Sequence, residues 1–200
     1  VVDPQNLTNF DYTDDQLEEV ALFAILAAGK NGEVSARSLD KLLAGIDAEG
    51  SPFDKIRSLD VDDLRARMKA NGIGCQKVKG RGFKELADSG LNLRLCTCEA
   101  LEEIHSISYK TSRLIVLHTR PDQEVVPLDT HNLAELRELG YDVPKSTPQG
   151  KKRYKTIEGW CVKLAKSLGM TVADWDLSVW KRRSNGKKKR SPRKKKLVAA

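Results

Sequence analysis

A lysine and an aspartate nineteen residues apart, Lys110 and Asp129, stand in the two most chemically suggestive segments of this sequence. The first segment is LEEIHSISYKTSRLIV, Leu101 to Val116, and the second is VVPLDTH, Val125 to His131. The first reads as a helix, a turn of about four to five residues, and a second helix. A turn of small polar residues between packed helices aims backbone N–H groups outward, where a phosphate oxygen accepts them. Lys110 falls at the start of the second helix, where the positive end of the helix dipole disfavours a cation. Asp129 reads as the N-cap of a later helix, with Thr130 and His131 behind it. Singly, these are an exposed lysine and a capping carboxylate; together, beside a hairpin, they favour chemistry over scaffolding.

The elements that must position this pair are helical throughout. Thr13-Asp14-Asp15-Gln16 is a capping-box pattern, and the following 17–28 carries the apolar run VALFAILAA, the mark of a core helix, stopped by Gly29 and Gly32. Further helices are expected over 35–43, 51–59, 60–71, 81–89, 97–104, 110–117, 129–139, 151–168 and 172–180. Cap residues, a Pro at a first helical position and terminal glycines mark their ends. The segment 74–82 is Gly/Lys-rich. The one β-like stretch, 124–128, is short and carries Pro127. The fold class is therefore all-α. Residues 1–13 read as an irregular lead-in, and the run KRRSNGKKKRSPRKKK from Lys181 is too polar to order itself.

Charge is distributed unevenly. Residues 1–63 hold 5 Lys/Arg against 14 Asp/Glu, residues 64–180 hold 19 against 14, and residues 181–200 hold 11 against none. The net +7 therefore resides in the tail, and a basic middle and tail suit a phosphate backbone better than the acidic start does. No apolar run approaches the roughly 20 residues of a membrane span, and no secretory signal is visible. Cys75, Cys96, Cys98 and Cys161 include no C-x2-C pair, so they read as reduced thiols of an intracellular protein and no metal site is expected.

The chain resembles the helix-hairpin-helix (HhH-GPD) DNA glycosylases, those like endonuclease III included, which carry L-P-G-V-G-x-K-T-A, an apolar helix and then V-D-T-H. Ile104-His105-Ser106-Ile107-Ser108-Tyr109-Lys110-Thr111-Ser112 occupies the first motif in register, and Pro127-Leu128-Asp129-Thr130-His131 the second. Ile73 to Lys79 is similar to the family's glycine turn, and Ala173 to Trp180 to its closing helix. The resemblance covers roughly 15–183 and implies a two-lobed helical fold. One lobe would span about 30–130, the other the N-terminal helix with 131–183, and a disordered basic tail would fill 184–200.

By that resemblance, Lys110 is the nucleophile and Asp129 the carboxylate beside it, in a bifunctional glycosylase/AP lyase acting on a flipped nucleotide. The implied partner is double-stranded DNA carrying a damaged or modified base, met by a monomer without cofactor, in the cytoplasm or nucleus. His105, Ser106, Ile107, Ser108, Tyr109 and Thr111 are expected to contact DNA, with Lys77, Lys79 and Arg81 from the glycine-rich segment. Gly29, Lys30 and Asn31 are expected at the gap left by the base or at its pocket. Two departures stand out. Serines replace the hairpin glycines, and no cysteine follows Cys161, so no iron–sulfur cluster is expected. The altered hairpin keeps two alternatives open: an enzyme of viral base modification, and a non-catalytic DNA-binding module. Trp160, Trp175 and Trp180 are read as core.

Overall fold

Side-chain caps set where the helices begin. The Thr13 hydroxyl accepts the Gln16 amide at 3.3 Å while the Gln16 side chain accepts the Thr13 amide at 2.9 Å, opening α1 (Asp14–Ala27). Asn31 caps α2 (Gly32–Ala44), and Ser51 with Asp54 forms a second capping box, Pro52 leading α3 (Pro52–Ser58). Asp60 caps α4 (Val61–Ala70) through two amides. There follow α5 (Gln76–Asp88), α6 (Cys98–Glu102), α7 (Tyr109–Thr119), α8 (Thr130–Glu138), α9 (Lys151–Ser167) and α10 (Val172–Lys187). This computed structural model describes residues 2–187, and among them every regular element is a helix.

Two apolar clusters hold the helices together. The first joins α1 to α5 with the front of the hairpin, around Leu22, Ile25, Ile56, Met68, Phe83 and Leu101. The second joins Val126 and Leu128 to α8, α9 and α10, around Leu133, Tyr154, Ile157 and Val179. Each fully buried side chain of this size contributes roughly 1.5–3 kcal/mol. Helix α7 bridges the two clusters, with Ile115 and Val116 in the first and Leu117 in the second. The N-terminal helix, expected to side with the C-terminal helices, places its buried residues in the first cluster instead. Its nearly all-apolar surface packs against α2, α3, α5 and α7.

Two other expectations are corrected. The Gly/Lys-rich segment is helical from Gln76. Its glycines serve close packing: a Cβ on Gly82 would lie 2.4 Å from the His105 carbonyl oxygen, and one on Gly80 3.3 Å from Arg65. Helix α10 runs through 184–187 rather than fraying there. Arg182 and Arg183 staple it to α8 through Glu135, at 2.7 Å each, and Arg183 also reaches Glu138. The rest of the expected tail, from residue 188, lies outside the described residues. The lead-in is irregular, as expected, and it is also well packed: Val2 and Leu7 are buried, and the Asn9 amide donates to the His118 carbonyl.

Candidate active site

Residues 103–108 join α6 to α7, and the hairpin they form is wedged against α5. The His105 amide donates to Glu85 Oε2 at 2.7 Å, and the Ser106 hydroxyl donates to the Val78 carbonyl at 2.7 Å. Ser106 occupies the left-handed region at φ 73°, where an L residue costs about 1 kcal/mol. Ser108, the other serine at a glycine position, is extended at φ −94°. It is the N-cap of α7 yet makes no side-chain capping bond. The hydroxyl of Ser106 is thus spent on holding the turn.

Lys110 is the second residue of α7, and Asp129 is the N-cap of α8. Asp129 Oδ1 accepts the amides of His131 at 2.7 Å and Asn132 at 2.9 Å. The segment leading to it is pinned by α9. Glu158 accepts the Val126 amide at 3.0 Å, and the Tyr154 hydroxyl bridges the Val126 carbonyl and the Leu128 amide. Thr147 donates to the Leu128 carbonyl at 2.7 Å. Arg113 on α7 joins this anchor, binding Glu158 at 3.0 Å and also Glu102 on α6, with its guanidinium against the rings of Tyr109 and Tyr154. One buried cation therefore ties both arms of the hairpin to the helix that holds the Asp129 strap.

Lys110 and Asp129 line one cavity of about 660 Å³, together with Gly29, Lys30 and Asn31 from the α1–α2 junction. Half-buried Trp180 and buried Phe23 supply its aromatic surface, and Pro4 and Leu7 of the lead-in complete the wall. Burial pushes the Asp129 carboxyl above its ordinary range. The Lys110 ammonium opposes that rise, the Asp176 carboxylate adds to it, and the Asn132 amide opposes it. A volume of this order accommodates one nucleobase-sized ligand.

The other predicted residues divide. His105, Ser106 and Ser108 lie on the hairpin turn, and Lys77 is exposed on α5. Arg81 is exposed too, and pairs with Glu85 at 2.6 Å. Lys79 is corrected: it is only 7% exposed and donates to the Leu26 carbonyl at 2.9 Å, closing the C-terminal end of α1. Ile107 is buried in the first cluster, and its amide is used within the turn by Ile104. Thr111 is buried at the cavity wall, and the Tyr109 ring stacks edge-on against Tyr154 at 5.5 Å. The side chains of these last three residues therefore face the interior, whichever of their backbone groups reach solvent. Among the tryptophans, Trp175 is core, while Trp160 meets Tyr141 at 5.5 Å and Trp180 lines the cavity.

Sequence reasoning missed His118, Asn132 and Asp176, all buried in the cavity wall. The bonds that join their side chains to other side chains span 44 to 110 residues, so no local pattern signals them. Among the described residues, no three or more His, Cys, Asp or Glu side chains gather as for a metal ion, and no helix is long and apolar enough to cross a membrane.

No family model matches this sequence, and no curated protein matches it. Two solved structures do match in shape. One is an 8-oxoguanine glycosylase/lyase of Methanocaldococcus jannaschii in complex with a 15mer DNA containing 8-oxoguanine. Its TM-score is 0.69 at 18% identity, over 91% of this chain and 87% of that one. The other is the 8-oxoguanine DNA glycosylase of the same organism, with TM-score 0.69 at 19% identity, over 90% and 84%. At such identity the likeness shows a shared fold: this all-α chain has the helical architecture of those glycosylases.

Proposed function

We propose that the protein is a DNA glycosylase with AP lyase activity, using Lys110 as nucleophile and Asp129 as its carboxylate partner. The observation that carries the reading is the convergence of these two side chains, from the starts of α7 and α8, on one nucleobase-sized cavity. The shared fold supports it, since both structural neighbours are described as 8-oxoguanine glycosylases.

In this mechanism the duplex lies along the hairpin, whose turn and the uncapped start of α7 present amides to a phosphate. Lys77, exposed on α5, adds a positive charge for the DNA backbone. A lesion nucleotide is extruded into the cavity, because its C1′ is out of reach within the stack. Lys110 must first give up a proton; its free amine then bonds to C1′ as the N-glycosidic bond breaks, and the electron pair leaves with the base, which takes up the proton that the lysine lost. Asp129 stabilises the positive charge that develops on the sugar and assists the proton transfers that form the Schiff base. Opening of the ring gives a Schiff base, and loss of a C2′ proton then expels the 3′-phosphate.

Borohydride, which reduces the Schiff base to a stable amine, tests this directly. A panel of lesion duplexes that begins with 8-oxoguanine and includes modified pyrimidines and an abasic site is expected to yield a covalent adduct with the wild type. Lys110→Ala is expected to abolish the adduct while retaining salt-dependent duplex binding. Absence of any adduct across the panel, with duplex binding intact, refutes the lyase and leaves a binding module.

A further inference from the structure

Behind Asp129 runs a closed chain of polar side chains that the mechanism above does not use. Asn132, whose amide donates to Asp129 Oδ1, also donates from its side chain to Asp176 Oδ1 at 2.6 Å. Asp176 Oδ2 meets His118 Nε2 at 3.1 Å, and His118 Nδ1 meets the Thr8 hydroxyl at 2.8 Å. The chain thus crosses from α8 to α10, to α7 and to the lead-in. Its middle is almost wholly buried: His118 is 1% exposed, Asn132 2% and Asp176 6%.

Such a network is costly to bury unless every member is satisfied, and an apolar set of the same volume would cost less. Here both carboxylate oxygens, both ring nitrogens and the amide nitrogen are engaged. The network also stands at a wall of the cavity, since His118, Asn132 and Asp176 all line it. A second carboxylate beside Asp129 is unfavourable electrostatically, which makes a purely structural use of aspartate a poor choice for position 176.

We propose that Asp176 is a positioning residue that acts through Asn132 to hold Asp129 at the cavity, and that His118 and Thr8 fix Asp176 in turn. The proposal rests on the glycosylase reading for its consequence, but the coupling itself is a property of the free protein. Asp176 sets the place of the first turn of α8, on whose amides one Asp129 oxygen is fixed. Its carboxylate also keeps Asp129 in the raised titration range that burial begins.

The experiment uses the full chain in two readouts. The first is the carbon-13 titration of the Asp129 carboxyl, assigned by its loss in Asp129→Asn, in wild type and Asp176→Asn without DNA. The midpoint is expected to fall in Asp176→Asn. The second is the single-turnover rate of borohydride trapping on abasic duplex, expected to fall about tenfold in Asp176→Asn with duplex Kd unchanged. That is a fraction of the roughly 10²–10⁴ supplied by a well-placed acid–base group. Abasic DNA carries no base, so a role for Asp176 in gripping the base leaves this rate untouched, and that result overturns the proposal. An unchanged Asp129 titration overturns it too. If the wild type traps nothing, the glycosylase reading falls while the titration still decides the coupling. Thr8→Val, which trims only the far end of the chain, is expected to shift both readouts in the same direction and covers the case of an Asp176→Asn variant that fails to fold.

Discussion

Gly82→Ala isolates the contact that sets the hairpin against α5. A Cβ at Gly82 would sit 2.4 Å from the His105 carbonyl oxygen and 2.9 Å from the Ser106 Cβ and Oγ. An ordinary contact begins at 3.4 Å, so the hairpin must retreat by about 1 Å, and backbone rather than a flexible side-chain tip has to move. Overpacking of this kind costs about 1–3 kcal/mol. The same retreat stretches the His105–Glu85 and Ser106–Val78 hydrogen bonds, both 2.7 Å long, beyond useful range. Each is worth about 0.5–1.5 kcal/mol. Alanine returns about 1 kcal/mol of helix propensity, leaving a net destabilisation of about 1–5 kcal/mol, centred near 3. In a chain of this length the central value lowers Tm by about 6–12 °C. Urea denaturation is the assay, with duplex binding by fluorescence anisotropy beside it; affinity is expected to fall because the phosphate-facing turn is displaced. Gly159→Ala is the control: it lies inside α9 with nothing within 4 Å of its Cβ, so it is expected to gain about 0.5–1 kcal/mol. A Gly82→Ala protein as stable as wild type, with unchanged affinity, refutes the account of the wedge.

Two further expectations follow from buried charge. Asp129→Asn keeps an oxygen for the α8 cap but loses the charge. Because the folded carboxyl titrates above its unfolded value of 3.8, wild type loses stability as pH rises from there through the raised midpoint. Thermal melts should therefore show Asp129→Asn more stable at pH 7, with the gain vanishing near pH 3, even as trapping is lost. Lys79 titrates below its usual 10.5, chiefly through burial, so wild type should gain stability relative to Lys79→Met as pH rises through that lowered value toward 10.5. Lys79→Met should leave duplex affinity and its salt dependence unchanged. Lys77→Ala should weaken binding and reduce the slope of log K against log salt by about one.

What the sequence made legible is what local chemistry encodes. The caps at Thr13 and Asp129 are read from residues two to three apart, and each makes the bond its type implies. The hairpin and the Lys110–Asp129 spacing are nearly as local. Direction within the hairpin is not. Ile107, Tyr109 and Thr111 fall inside a motif that faces outward through its backbone, while their side chains turn inward to the two clusters and the cavity. Lys79 fails for a related reason: a lysine among glycines resembles a phosphate contact until α1 ends over it and supplies a carbonyl.

The cavity itself is a tertiary product. Its catalytic candidates come from the starts of two helices, but its far wall is built by the lead-in, the α1–α2 junction and α10. Gly32 shows how closely these are fitted: its Cβ would lie 3.4 Å from Pro4 and 3.5 Å from the Trp180 ring. The lead-in is therefore part of the site, tied to α7 by the Asn9 amide and to the buried polar chain by Thr8. Arg113 performs an equivalent task for the strap, tying α6, α7 and α9 into the frame that carries Asp129. On the proposed mechanism, Lys110 needs an opposing carboxylate held still while DNA is distorted against the hairpin. Two separate buried networks serve that carboxylate: one of hydrogen bonds reaches it through Asn132, and one of ion pairs holds the strap that leads to it. A hairpin that lacks its glycines can keep such a site in register because the register is set from behind the turn, not within it.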